Sequence, residues 1–313
     1  MSTCLSFRPQ SADLSPVPQP FFDTPSPRNS YQMKERNFSP LGPHGFHRVH
    51  YYEWGDADNP RVVVCVHGLT RSGRDFDELA KALSRKYRVL CPDVVGRGKS
   101  GWLTHKEDYG YPQYCADMAA LIARSGAQQV DWVGTSMGGI IGMLIAAHEG
   151  NPIRRLVIND VGPFIPKASL ERIRTYVGKD PEFASIEEAE SYVRMVSEPF
   201  GPHNDEQWRH LTETTVRARD NGKWGLVYDP SLSHAFSGAM TDIDLWTFWD
   251  RIRCPTLLIR GKSSDLLLEQ TAHEMTERGP RAKLVEFDGI GHAPTLMAPE
   301  QIKVVKEFLL GEG

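Results

Sequence analysis

Five consecutive apolar residues, Val62 to Val66, four of them β-branched, restrict this chain more than any other feature. A strand with no polar alternation must be covered on both faces, which is the environment of a parallel sheet between helices. Similar runs recur at 87–94, 129–133, 153–162, 254–261 and 282–289. Between them lie amphipathic stretches of helical period at 75–85, 112–126, 139–148, 269–279 and 299–311. The 75–85 stretch offers Asp75 as N-cap and places Phe76, Leu79, Ala80 and Leu83 on one face; the 112–126 stretch has Pro112 in its first turn and Gly126 at its end. Residues 46–55 alternate like a hairpin or edge strand. Strand followed by helix, repeated, predicts an α/β fold with a doubly wound, mostly parallel β-sheet.

The rhythm breaks at Gly162. From 163 to 250 the chain is helical and aromatic, with helix-like stretches at 168–177, 186–197 and 204–219 and almost no strand signal. The expected organisation is therefore a core formed by 44–162 and 251–313, interrupted by a helical cap, or lid, over 163–250. Residues 1–43 are rich in Pro and Ser without periodicity and predict a disordered tail; Met33 is a candidate start of a shorter product.

Composition excludes several partners. The net charge is −4 and no block of Lys or Arg occurs, so neither nucleic acid nor an anionic membrane surface is expected as a partner. No apolar run reaches the roughly 18 residues needed to cross a bilayer, and the N-terminus lacks the apolar centre of a secretory signal. The five cysteines, Cys4, Cys65, Cys91, Cys115 and Cys254, form no C-x-x-C pair and mostly sit in or beside apolar runs. Free thiols in a reducing compartment, hence a cytoplasmic protein, are expected. Oligomeric state is not legible.

The chemistry is concentrated at Gly134-Thr135-Ser136-Met137-Gly138, a G-x-S-x-G sequence between a strand and a helix. A sharp turn there lifts a serine hydroxyl above the sheet at a helix N-terminus, and the glycines let strand and helix approach. A serine needs a base and an orienting carboxylate to act as a nucleophile. His292, in a Gly-rich loop between the last strand and the last helix, is the expected base. Asp265, in the loop after the strand at 254–261, is the expected acid; Asp160, after the preceding strand, competes with it, and Asp288 ranks third. The backbone N–H groups of Leu69 and Met137 are the expected oxyanion donors.

The segments "VHGLTRSGRDF", "DVVGRGKS", "GTSMGG", "RGKSSDLL" and "GHAP" resemble, in order and spacing, those of α/β-hydrolase-fold serine esterases, from residue 46 to the end. "INDVGP", "WGLVYDPSL" and "DIDLW" are similar to bacterial carboxylesterases that include depolymerases of polylactate- or polyhydroxyalkanoate-type polyesters. The resemblance implies a structural role for Asp93, Gly96, Gly98 and Ser100.

The expected function is hydrolysis of carboxylic esters through an acyl-enzyme, on a small-molecule, oligomeric or polymeric ester such as an aliphatic polyester. Two alternatives share the triad: a hydrolase of carbon-carbon bonds in vinylogous diketones, and a ligand receptor with slow turnover. Ser136 argues against the relatives that carry aspartate at the elbow. Among the lid aromatics, Trp224 and Phe236 are the expected substrate-binding residues. No metal cluster or dinucleotide fingerprint occurs, so no cofactor is expected.

Overall fold

The computed structural model describes residues 32–238 and 240–311 of the 313. Its centre is an eight-stranded sheet built from β1 (Lys34–Phe38), β2 (Val49–Trp54), β3 (Val62–Val66), β4 (Arg88–Pro92), β5 (Val130–Thr135), β6 (Ile153–Asn159), β7 (Thr256–Gly261) and β8 (Lys283–Phe287). The strand order is β1-β2-β4-β3-β5-β6-β7-β8. β2 is antiparallel to both β1 and β4, and every later pairing is parallel.

Period-two packing explains why the central strands carry no polar alternation. Val62, Val64 and Val66 enter one apolar cluster, and Val63 and Cys65 enter a second on the opposite face. Trp132 and Val133 divide in the same way, as do Leu258 and its neighbours Leu257 and Ile259. Both faces of the sheet are thus buried, the condition that selects Val and Ile at consecutive positions.

The core helices are α1 (Asp77–Leu83), α2 (Tyr111–Ser125) and α3 (Met137–Ala146), with α8 (Glu269–Glu277) and α9 (Pro299–Leu310) after the insertion. Asp75 does not cap α1. It lies in a 3-10 turn, Gly73–Phe76, and its carboxylate is taken by Arg71, so Phe76 occupies the cap position.

Residues 163–250 contribute α4 (Lys167–Arg174), α5 (Ile186–Val196), α6 (Asp205–Glu213) and α7 (Trp246–Trp249). Ser185 caps α5 by accepting from Glu188 N–H, and Asn204 with Gln207 forms a capping box on α6. The helical expectation is incomplete here. A three-stranded sheet places Trp224–Leu226 between Glu182–Phe183 and Val216–Ala218, and Phe164–Ile165 pairs with Ile243–Asp244. The helix expected over 204–219 stops at Glu213, and Thr214 and Thr215 turn the chain into a strand. Strands of two or three residues are too short to show a period.

The tail expected over 1–43 also needs correction. Residues 1–31 lie outside the described residues, but Lys34–Phe38 is an ordered edge strand, paired through five positions with β2. Its sequence, KERNF, is polar because its side chains are largely exposed; the order comes from backbone pairing, which side-chain pattern does not report.

Candidate active site

The strand order reverses direction between β3 and β5: the chain leaves β3 toward β4 and later returns to place β5 on β3's other side. The loops after these two strands diverge and open a crevice at their carboxyl ends. Ser136 follows β5 there, with φ 51° and ψ −114°, a backbone geometry that a non-glycine residue adopts at a cost. The turn is held by Ser136 N–H donating to the Asn159 carbonyl at 2.9 Å, while the Ser136 carbonyl accepts from Gly139 and Ile140 N–H to start α3. A Cβ on Gly134 would lie 2.2 Å from the Gly138 carbonyl oxygen, and one on Gly138 would lie 2.0 Å from the Val66 oxygen. Both glycines are therefore required by close backbone approach.

His292 reaches this hydroxyl: its Nε2 lies 2.9 Å from Ser136 Oγ. Its Nδ1 lies 2.8 Å from Asp160 Oδ2, not near Asp265. A carboxylate only accepts, so Nδ1 carries the proton and Nε2 offers its lone pair to the serine O–H. Asp160 is fully buried, turns at φ 57° just after β6, and accepts further bonds from Gly261 N–H at 2.8 Å and Ser264 Oγ at 2.6 Å.

The expectation of Asp265 as acid is thereby corrected. Its side chain is 54% exposed and forms a two-point ion pair with Arg172 of α4. In the loop after β7 it is Ser264, not Asp265, that turns inward. Asp288 pairs with Lys262 at the surface, 2.8 Å away. Sequence reasoning could name Asp160 as a competitor but carried no signal for its left-handed turn, the feature that aims the carboxylate at His292.

The loop after β3 faces the serine from the other side. A Cβ on Gly68 would stand 3.7 Å from Ser136 Cβ, so Gly68 and Leu69 adjoin Ser136. His67 fixes this loop from inside the core: Val94 N–H donates to its Nε2 at 2.9 Å, which leaves Nδ1–H to donate to the Gly68 carbonyl at 2.7 Å. Complete burial pushes the His67 imidazole down to about 4, so it stays neutral. Among the described residues, neither Leu69 N–H nor Met137 N–H is taken by a backbone carbonyl. Met137 opens α3, where the helix dipole is positive.

A cavity of about 310 Å³ lies over Ser136 and His292. The core lines it with Leu69 and Phe76, and the insertion with Tyr176, Tyr192, Phe200 and Tyr228. Arg71 is one of its charged groups, held by Asp75 and the Thr215 hydroxyl. Trp224 and Phe236 do not line it; both pack against the apolar core instead. A signal for the right residues existed. Ile173 and Tyr176 are one helical turn apart, as are Val193 and Val196, so each pair shares an inward face. No group of three or more His, Cys, Asp or Glu suited to a metal ion occurs among the described residues.

The profile of the α/β hydrolase fold family matches residues 61–299. Over 280 residues the chain is 46% identical to the 3-hydroxybutyrate-oligomer hydrolase of Cupriavidus necator, covering 87% of this chain and 96% of that protein. The crystal structure of a Rickettsia typhi protein superposes with a TM-score of 0.84 at 32% identity, covering 90% of this chain and all of the other. An α/β hydrolase from Novosphingobium aromaticivorans gives 0.80 at 36% identity, over 89% and 98% of the two chains.

Proposed function

Because the chain belongs to the α/β hydrolase fold family, we propose that this carboxylic ester hydrolase works through Ser136, His292 and Asp160 on oligomers of short hydroxy acids. The observation that carries the reading is His292 bridging the Ser136 hydroxyl and the buried Asp160 carboxylate. Ser136 Oγ attacks the ester carbonyl carbon as its proton passes to His292 Nε2. Asp160 holds the resulting imidazolium through Nδ1–H. The N–H groups of Leu69 and Met137 receive the carbonyl oxygen as it becomes negative. Collapse breaks the bond to the alcohol oxygen, which takes the proton from Nε2; water, activated by the same imidazole, then releases the acid and frees Ser136.

The substrate class is supported by two features. The relative sharing 46% identity acts, by its name, on 3-hydroxybutyrate oligomers. The cavity is at the small end of the range for small-ligand sites, roughly 300–1,000 Å³, and mixes tyrosines and Arg71 with apolar side chains, which suits short repeating ester units. Residues 163–250 act as the lid that supplies one wall. Among the described residues no helix is long and apolar enough to cross a membrane. The four described cysteines are free, which supports a cytoplasmic site of action. Neither the diketone hydrolase nor the receptor gains a supporting observation.

The test is turnover of 3-hydroxybutyrate dimer and trimer, a series of p-nitrophenyl acyl esters and emulsified polylactate, each with Ser136→Ala alongside. Oligomer hydrolysis lost by about a millionfold in that variant supports the reading; oligomer hydrolysis retained there, with a folded variant and no contaminating activity, overturns it.

A further inference from the structure

Arg97 is among the largest side chains with no exposure in the molecule. Among the described residues it has no carboxylate partner. Its Nε donates to the Leu69 carbonyl at 2.8 Å, one terminal nitrogen donates to the Val95 carbonyl at 2.7 Å, and the other contacts Met137 Sδ at 3.4 Å. The guanidinium carbon lies 4.8 Å from the centroid of the Tyr114 ring, the remaining compensation for its charge. Burying a cation with no carboxylate in direct contact costs far more than burying an apolar side chain of the same reach. A strut for the 94–100 turn alone would not need the charge.

The two residues flanking Ser136 as oxyanion donors, Leu69 and Met137, are both gripped by this one guanidinium. We propose that Arg97 is the positioning residue of the oxyanion hole, fixing Leu69 and Met137 and placing its buried positive charge behind their N–H groups. A neutral bound ester gains little from that charge, whereas the tetrahedral intermediate, carrying a full negative charge in a dry site, gains most. The same turn is bonded to the insertion: Gly98 N–H donates to the Val227 carbonyl and Asp229 N–H to that of Gly96. Oxyanion stabilisation and the cavity wall thus share one support. The inference rests on the ester-hydrolase reading and deepens it.

The experiment compares full-length Arg97→Gln, Arg97→Met and Arg97→Lys, each checked for folding by thermal melting. It measures kcat and KM on a soluble p-nitrophenyl ester, and inhibition by an alkyl boronic acid and by an unreactive methyl ketone of the same chain length. The expected result is a kcat lower by about 100-fold in Gln and Met, KM within about 3-fold, boronate affinity falling in parallel with kcat, ketone affinity unchanged, and Lys recovering about tenfold. Unchanged kcat in Arg97→Gln, or boronate and ketone weakening together, overturns the proposal. Should the Arg97 variants not fold, Met137→Leu, which removes only the sulfur contact, is expected to lower kcat about 3-fold at constant KM, and no change there has the same force. Ser136→Ala separates the two readings: activity in it removes the hydrolase reading, whereas an inert Ser136→Ala beside fully active Arg97 variants removes this inference alone.

Discussion

Ser264 Oγ donates to Asp160 Oδ2 at 2.6 Å, the same oxygen that accepts His292 Nδ1–H at 2.8 Å. The carboxylate that holds His292 therefore rises from β6, while the loop after β7 contributes a neutral hydroxyl that holds it in turn. Gly261 N–H occupies the other oxygen, so three donors converge on one buried carboxylate. The carboxylate has little freedom to rotate away from the imidazole.

The first consequence separates the two aspartates. Asp160→Asn is expected to lower kcat by about 10⁴-fold, since an amide there selects the wrong imidazole tautomer. Asp265→Asn is expected to leave kcat near the wild-type value and to cost no more than about 1 kcal/mol, as befits an exposed ion pair. Steady-state kinetics and denaturant unfolding on both variants check this; a large kcat loss in Asp265→Asn alone would reverse the assignment.

Ser264→Ala removes one of the three donors without touching the imidazole. The expected loss in kcat is about tenfold, corresponding to about 1.4 kcal/mol, with KM nearly unchanged. Ser264→Thr, which keeps the hydroxyl, is expected to recover most of it.

Gly138→Ala tests the elbow itself. The added carbon would sit 2.0 Å from the Val66 carbonyl oxygen, and backbone on both sides would have to move. A stability loss of about 1–3 kcal/mol is expected, together with a fall in kcat because Ser136 and the loop after β3 separate. Urea unfolding with parallel kinetics measures both.

His67 makes stability depend on pH. In the folded chain it stays neutral down to about 4, against an ordinary value of 6.5 in the unfolded chain. The unfolded state thus binds the extra proton between those values, so the contribution is complete above pH 6.5 and is lost as pH falls toward 4. Its size is about 3 kcal/mol. Wild type is expected to lose that much more stability than His67→Gln between pH 6.5 and 4 in urea unfolding; equal slopes would contradict it.

Much of this is legible in the sequence. Consecutive β-branched residues at 62–66 announce a strand buried on both faces, and the glycines around Ser136 announce a tight turn, because steric demands of that kind act on neighbouring residues. His292 was legible from its loop. What escaped depends on partners distant in sequence. Asp160 outcompetes Asp265 through a backbone turn and through Ser264 and Gly261, about a hundred positions away. β1 owes its order to backbone pairing with β2, which its polar side chains do not reveal. Trp224 and Phe236 are prominent in the sequence yet serve packing, while Tyr176 and Tyr192 line the cavity.

The hydrogen bond from Ser136 N–H to Asn159 joins Ser136 to the residue immediately before Asp160. Hydroxyl and carboxylate consequently ride on one stiff unit of two adjacent strands, and breathing of the sheet carries both together. The imidazole is mounted separately, beyond β8, and Asn159 Nδ2 tethers its loop through the Pro294 carbonyl at 2.7 Å. Parting the imidazole from both then requires displacement of a single short loop, with Ser136 and Asp160 left in place.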